Sequence, residues 1–574
     1  MRMARPRTAV LLLLATLLVA CTPSSAPGRD QSSPSAPAAS PDAPKSLSFA
    51  IQGEPIVLVT SLGLGNQPNV GGDVQGAVHR KLATLDDRGA LHPQLAVELP
   101  NQERGTWLVR SDGTMRTTYN LRKDVTWHDG TPLTAKDFLF ASVITTDPEL
   151  PLPQGKLAAY LDRVESPDDA TLVIEWSQTY PFANAIVEDD LGPLPAHLLE
   201  PIYRADKERF QQNPYWTREF VGVGPYRVAE WALGSHVLLK AYDGFYAGRA
   251  KIDTITVKFI LAAPTAVANL LAGSLDGAIP ATLDFQQANF VKAEWERAGK
   301  KPAVLAQSVH WRTMSFQFRP EFASPRDLLD VRVRRALLHA IDRKSIVDTI
   351  FDGAAPISHV YLPQDDYRWD WVKDVAAVYD HDPRRAQELL SQAGWTMGAD
   401  GLWLTSGGQR ASIAEWTTAG YETEVAIMAD NWKSIGIGAD QVVLSPGEAQ
   451  DRQYVATFPG VMTTTFPINF QYWIERHEGL SCPTEAKRWV GWNRGCYQNP
   501  ERDRVTNAMK VAIDPAEQRP LFRDLARIES EDLPGLPLYF NIQLTVFRDG
   551  VTGVKRNTIP KTTATWNIEE WDVR

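Results

Sequence analysis

The sequence carries no catalytic signature recognisable from spacing. There is no G-x-S-x-G nucleophile elbow, no G-x-x-x-x-G-K-[ST] phosphate loop and no H-E-x-x-H zinc helix. Gly63-Leu64-Gly65 lacks both a third glycine and a preceding strand, which argues against a dinucleotide site. The ten histidines, from His79 to His477, fall singly and form no metal-ligand pair at helical spacing. Neither a cofactor nor a metal is therefore expected. Among 69 acidic residues no carboxylate pair is singled out, as a glycan hydrolase would need. Basic charge is also lacking. The formal charge is -10, or -13 once the three arginines of residues 1–20 are set aside, which argues against nucleic acid and against adsorption to an anionic membrane surface. No repeat of 20–50 residues occurs, which excludes solenoids and propellers.

Long apolar runs are equally scarce. Thr8–Ala20 is apolar for about 13 residues, short of the roughly 20 that span a bilayer. It follows Arg2, Arg5 and Arg7 and ends Leu18-Val19-Ala20-Cys21, the layout of an export signal. Leu-Val-Ala-Cys resembles the bacterial lipobox, which implies a cleaved leader over 1–20 and an acylated Cys21. Residues 22–46 follow, and 18 of these 25 are Pro, Ser or Ala. Such a stretch has nothing to bury and reads as a disordered tether, so that 21–46 links a lipid to a folded body. As a coil it reaches roughly 25–30 Å. The expected location is extracytoplasmic, at the cell membrane through the lipid alone. In that oxidising compartment Cys482 and Cys496 favour a bridge over two free thiols, worth roughly 3 kcal/mol for so short a loop.

The chain of 574 residues is too long for one ordinary core, and its strand and helix signals alternate, which implies a mixed α/β fold of several lobes. Asp382-Pro383 opens a helix whose Ala386, Leu389, Leu390 and Ala393 share a face before Gly394 stops it. Asp514-Pro515 repeats the device, with Glu517 placed for a capping box. Thr134 and Asp137 start another helix. Val333, Ala336, Leu337, Ala340 and Ile341 form a helical core stripe. Ile255, Val257, Phe259 and Leu261 alternate as a strand, as do Val237, Leu239 and Ala241, and Gly224-Pro225 leads into a strand over Tyr226–Trp231.

The segment 119–138, YNLRKDVTWHDGTPLTAKDF, resembles the signature of the family 5 extracellular solute-binding proteins. Four further motifs follow in order: Gly222-Val223-Gly224-Pro225-Tyr226, Leu271–Asp276, the run from Asp330 to Arg343, and Asn499-Pro500-Glu501-Arg502-Asp503. The resemblance runs from about residue 47 to the end. It implies a periplasmic-binding-protein-like α/β clamp of two hinged lobes with an extra inserted domain, of the class II or cluster C type. Lobe I would comprise 47–90, 222–308 and 531–574, the inserted domain 91–221 and lobe II 309–530. It further implies a monomeric, non-enzymatic substrate-binding subunit of an ATP-driven importer, which encloses a peptide or similar solute and hands it to permease subunits. Most of the motif residues themselves read as structural.

Peptide-binding members often carry an acidic residue just before the late Asn-Pro motif. Here 463–473 reads TTTFPINFQYW, with no acid until Glu475. An oligosaccharide or a blocked peptide is thus an alternative cargo, and an extracytoplasmic sensor or chaperone an alternative role. The candidate ligand contacts are Asn66 and Gln67, Trp311 and Arg312, Trp416 and Tyr421, and Asn469, Tyr472 and Trp473. Aromatics would stack, amides would orient and Arg312 would meet a carboxylate.

Overall fold

A computed structural model describes residues 44–59, 71–150, 156–184, 186, 191–468, 470–556 and 563–574. The leader, Cys21, the tether up to residue 43, and the candidates Asn66, Gln67 and Asn469 lie outside the described residues.

Ten strands form one mixed sheet. From edge to edge they are Gly438–Leu444, Ser412–Thr418, Val461–Pro467, Ala303–Phe316, Gly535–Phe547, Gly277–Ala278, Ser46–Ile51, Thr254–Phe259, His236–Ala241 and Tyr226–Ala232. Ser412–Thr418 runs parallel to Gly438–Leu444, and the helix Glu422–Ser434 makes the crossover such pairing requires. Two long antiparallel strands, Ala303–Phe316 and Gly535–Phe547, tie the halves together. At one end they pair residue 303 with 547, and Phe547 and Val546 also pair with Gly277 and Ala278. At the other end His310–Phe316 pair with Val461–Pro467. Register shifts at Ser308/His310 and Arg312/Thr313 interrupt the ladder where it passes between the halves, and unpaired ladder positions of this kind are where a strand bends.

The chain is thus a two-lobed α/β protein. Gly535–Asn541, expected in lobe I, pair with His310–Ser315, so the strand that carries them is shared by both halves. Lys45 and Ser46, expected in the tether, are already built in. The Lys45 backbone N–H donates to Asp253 Oδ2 at 2.7 Å, and Ser46 pairs with Thr254. A separate antiparallel sheet of Trp107–Val109, Met115–Asn120, Thr171–Trp176 and Leu161–Asp168 lies within 91–221.

The motifs are structural joints. Asp137 accepts from the Thr134 N–H at 2.8 Å through one oxygen and from the Ala196 N–H at 3.0 Å through the other, which fixes the start of the helix Ala135–Thr146. Trp127 is fully buried beside it. The Gly222 N–H donates to His128 Nδ1 at 3.1 Å, so Nε2 carries the proton that reaches Gly224 O, also at 3.1 Å. A side chain at Gly224 would meet the Val78 carbonyl carbon at 2.3 Å, so only glycine fits there. Asp382 and Asp330 cap their helices through the Arg385 and Arg332 N–H groups, and Gly394 takes the positive φ that ends the helix Pro383–Gln392. Asp514 caps its helix through the Ala516 N–H, without the reciprocal bond expected from Glu517. Leu261 lies beyond the strand Thr254–Phe259 and is exposed.

Candidate ligand-binding cleft

A cavity of about 730 Å³ opens where the two long strands pass between the halves. The first half supplies Gln52, just past its strand, and Ala281–Gln287 at the start of the helix Phe285–Arg297. The second supplies Thr349–Phe351, Tyr421, Thr423, Glu424 and Thr465. The crossing strands themselves form the floor through Val309, His310, Tyr539 and Asn541–Gln543. Strand alternation presents Tyr539, Asn541 and Gln543 on one face. Burial lowers the His310 pKa, so its imidazole is neutral at pH 7.

The halves already touch at this cavity. The Phe285 and Phe351 rings lie 5.4 Å apart, edge to face, and Gln286 Nε2 donates to Ile350 O at 3.1 Å.

Behind Tyr421 lies a sealed ionic cluster. Arg312 and Glu424 are both wholly buried. Arg312 Nε donates to both Glu424 oxygens at 2.9 Å. Arg312 Nη2 donates to Thr417 Oγ1 at 2.7 Å and Thr463 Oγ1 at 2.8 Å, and the Tyr539 hydroxyl donates to Glu424 Oε2 at 2.6 Å. The guanidinium carbon sits 3.6 Å from the Tyr421 ring centre. Next to this cluster Glu415 is equally buried, and neither of its oxygens has a hydrogen-bond partner. Burial, and then the negative charge of Glu424, push its pKa up to about 9, against the opposing pull of Arg312. Glu415 is therefore a neutral acid at pH 7.

Of the expected contacts, Tyr421 lines the cavity. Arg312 does not offer its charge to a ligand; Glu424 and three threonines consume it. Trp311 points to the opposite sheet face and packs edge-on to Tyr361 at 5.0 Å in the second-half core. Trp416 packs on Tyr454 at 4.5 Å in a separate small cluster. Trp473 is buried and donates to Glu529 Oε2 at 2.7 Å. Tyr472 meets the Trp492 ring at 5.5 Å, away from the cavity lining. Burial of their large apolar surface accounts for these aromatics. Sequence reasoning passed over Gln52, His310, Asn541 and Gln543. The polar alternation Asn541, Gln543, Thr545 inside an otherwise apolar strand was the available signal.

Cys482 and Cys496 are joined, with Cα atoms 4.8 Å apart. Among the described residues no cluster of three or more His, Cys, Asp or Glu is placed to hold a metal, and no helix is long and apolar enough to cross a membrane.

Residues 90–477 match the family described as bacterial extracellular solute-binding proteins, family 5 middle. The oligopeptide-binding protein AppA of Bacillus subtilis is 25% identical over 588 residues, spanning 99% of each chain. Its structure with a nonapeptide matches with a TM-score of 0.64 at 20% identity, covering 92% of this chain and 99% of that one. The ABC transporter substrate-binding protein CtaP of Listeria monocytogenes matches with a TM-score of 0.72 at 19% identity, covering 92% and 99%. NikZ of Campylobacter jejuni, in complex with Ni(L-His), matches with 0.66 at 22% identity, covering 92% and 100%. At these identities the solved structures establish the fold alone.

Proposed function

The chain belongs to the family 5 bacterial extracellular solute-binding proteins, and from that premise we propose that it is the substrate-binding subunit of an ATP-driven importer. It takes a peptide or a similarly sized solute into the cleft between its lobes and passes it to permease subunits. The observation that carries this reading is the placement of the cavity on the two strands that join the halves. Cargo bound there touches both lobes and the connection between them. It therefore binds the closed arrangement more tightly and shifts the population toward it. A cavity of about 730 Å³ falls in the range of roughly 300–1,000 Å³ common for ligand pockets.

The lining favours a ligand recognised through neutral hydrogen bonds. Gln52, Asn541 and Gln543 offer amide donors and acceptors, His310 is neutral, and the Glu424 charge is held by Arg312. A peptide backbone presents the matching alternation of N–H and C=O groups. The relatives named above bind cargo as different as a nonapeptide and Ni(L-His), so the choice of cargo rests on this lining. The same features argue for binding without catalysis. Of the two carboxylates on the wall, Glu424 is neutralised and Asp284 accepts from the Gln287 N–H at 2.8 Å as a helix cap, which leaves no free acid and base pair. Membrane attachment through acylated Cys21, a monomeric state and the lobe boundaries complete the proposal.

Native mass spectrometry of freshly isolated protein, followed by thermal-shift screening of peptide and oligosaccharide libraries, tests it. Retained peptide, or stabilisation by peptides, is expected, together with loss of uptake of that solute when the protein is deleted. Unaltered uptake with changed signalling would establish the sensor role instead.

A further inference from the structure

Away from the cleft, on the Trp311 face of the sheet, four arginines gather with little negative charge to meet them. Arg502 donates to Glu529 Oε1 at 2.7 Å and to the Trp473 and Ile474 carbonyls. Arg319 is spread over the Ala456, Arg494 and Pro483 carbonyls. Arg502 is thus ion-paired with Glu529, although its Nη1 has no hydrogen-bond partner, and Arg319 is held by carbonyls. The other two form no ion pair among the described residues.

Arg476, at the end of the helix Phe470–Arg476, is 3% exposed. Its Nη2 donates to Ser315 Oγ at 2.7 Å and its Nε to His477 Nε2 at 3.2 Å, but its Nη1 is buried with no partner. Arg494 lies in the loop closed by Cys482 and Cys496. Its neighbour Gly495 is wedged against Phe316 O, beside Ser315, and its guanidinium makes no hydrogen bond or ion pair with any described residue. Burial lowers the pKa of both groups, and the Arg476 charge lowers that of Arg494 further. The nearby acids are engaged, Glu529 by Arg502 and His477, and Glu478 by Lys510. Aromatic rings wall the place. The Arg476 guanidinium carbon lies 4.3 Å from the Phe466 ring centre, and Trp492 stands edge-on to Phe466 at 5.9 Å while remaining 42% exposed.

Arg476 is buried with one nitrogen unmet and shares Glu529 with Arg502 and His477, and the half-buried Arg494 beside it repels it. The place is therefore short of negative charge, and a buried charge left unpaired is strongly destabilising. Planar guanidinium forks match oxyanions in geometry and charge. We propose that Arg476 and Arg494 form an oxyanion site at the mouth of the disulfide-closed loop, which takes a carboxylate or phosphate group under Trp492. The group is either a free inorganic oxyanion or the acid end of a solute. The site is separate from the cavity between the lobes and does not depend on the importer reading.

The test uses the full-length protein. Thermal unfolding is followed while phosphate or acetate replaces chloride at constant ionic strength, and with a tripeptide bearing either a free or an amidated C-terminus. Either anion is expected to raise the midpoint over chloride, with saturation. R494M should weaken that response at least tenfold while keeping a chloride midpoint at or above wild type, because an unpaired cation has been removed. R494K, which keeps the charge, should retain part of the response. Preference for the free over the amidated tripeptide identifies the acid end of a solute; phosphate alone identifies an inorganic ion. No anion-specific shift, or an equal shift in R494M, overturns the site.

Discussion

Glu415 gives the sharpest test of the buried electrostatics beside the cleft. Its folded pKa of about 9 stands far above the unfolded value of 4.5, because burial and Glu424 both disfavour the anion. Between those values the folded state holds a proton that the unfolded state has released, so stability falls as pH rises. The slope is about 1.4 kcal/mol per pH unit. From pH 5 to 8.5 the loss is about 5 kcal/mol, and it levels off above pH 9. E415Q keeps the shape and cannot titrate. Its absolute stability mixes the gain at Glu415 with the unmet polarity of a buried amide, so the informative quantity is the change between the two pH values. Denaturant unfolding of wild type and E415Q at pH 5 and 8.5 should give a difference in stability that grows in favour of E415Q by about 5 kcal/mol. The histidines whose pKa is lowered by burial, His79, His128, His310, His359 and His477, titrate alike in both proteins and cancel. Parallel pH profiles would refute a neutral Glu415, and with it the charge balance of Arg312 and Glu424.

R312M leaves Glu424 buried without its cation and should cost about 3–5 kcal/mol, read as a lower denaturant midpoint. Burial alone would raise the Glu529 pKa, but Arg502 and His477 hold it down at about 2. Its contribution is complete above pH 4.5 and disappears as pH falls toward 2, a loss of about 3 kcal/mol that E529Q should not show on acid titration. N541L and Q543L should weaken cargo binding by calorimetry about tenfold each while leaving the denaturant m-value unchanged, since each removes one neutral hydrogen bond at the cleft floor. Replacing Cys482 and Cys496 together by serine should lower stability by roughly 3 kcal/mol under non-reducing conditions.

Much of the architecture was legible because it rests on local chemistry. Asp382, Asp330 and Asp137 cap helices through their own side chains, and the glycines of the Gly222–Tyr226 motif admit backbone where a Cβ would collide. These are short-range facts written in adjacent residues. The cleft was far less legible. Trp311 and Trp473 have the composition of ligand-stacking residues, yet rings of that size are also the best core fillers, and only tertiary packing separates the two roles. Arg312 looked available because Glu424 lies 112 positions away in sequence. Gln52, His310, Asn541 and Gln543 come from three separate segments, and their convergence depends on where the crossing strands shift register.

Those register shifts also bear on how the lobes would move. Between Ser308 and His310 the ladder to the Gly535–Phe547 strand is interrupted, and Val309, His310 and Asn541–Gln543 at that break form the cavity floor. Just beyond it, Arg312 clamps the Ser412–Thr418 and Val461–Pro467 strands together through Thr417, Thr463 and Thr465 and holds the helix Glu422–Ser434 through Glu424. Arg312 thus ties two strands and a helix of the second lobe together beside the break. At the cavity the halves touch through the Gln286 to Ile350 hydrogen bond and the Phe285–Phe351 ring pair, and elsewhere through the Arg556–Asp365 ion pair and a shared apolar cluster. A ladder interrupted beside the cavity would concentrate bending at the residues that line it. Q286A and F351A should then favour the open arrangement and weaken binding through a faster off-rate, although Gln286 and Phe351 lie at the cavity's edge. An unchanged off-rate in both variants would place the bend elsewhere.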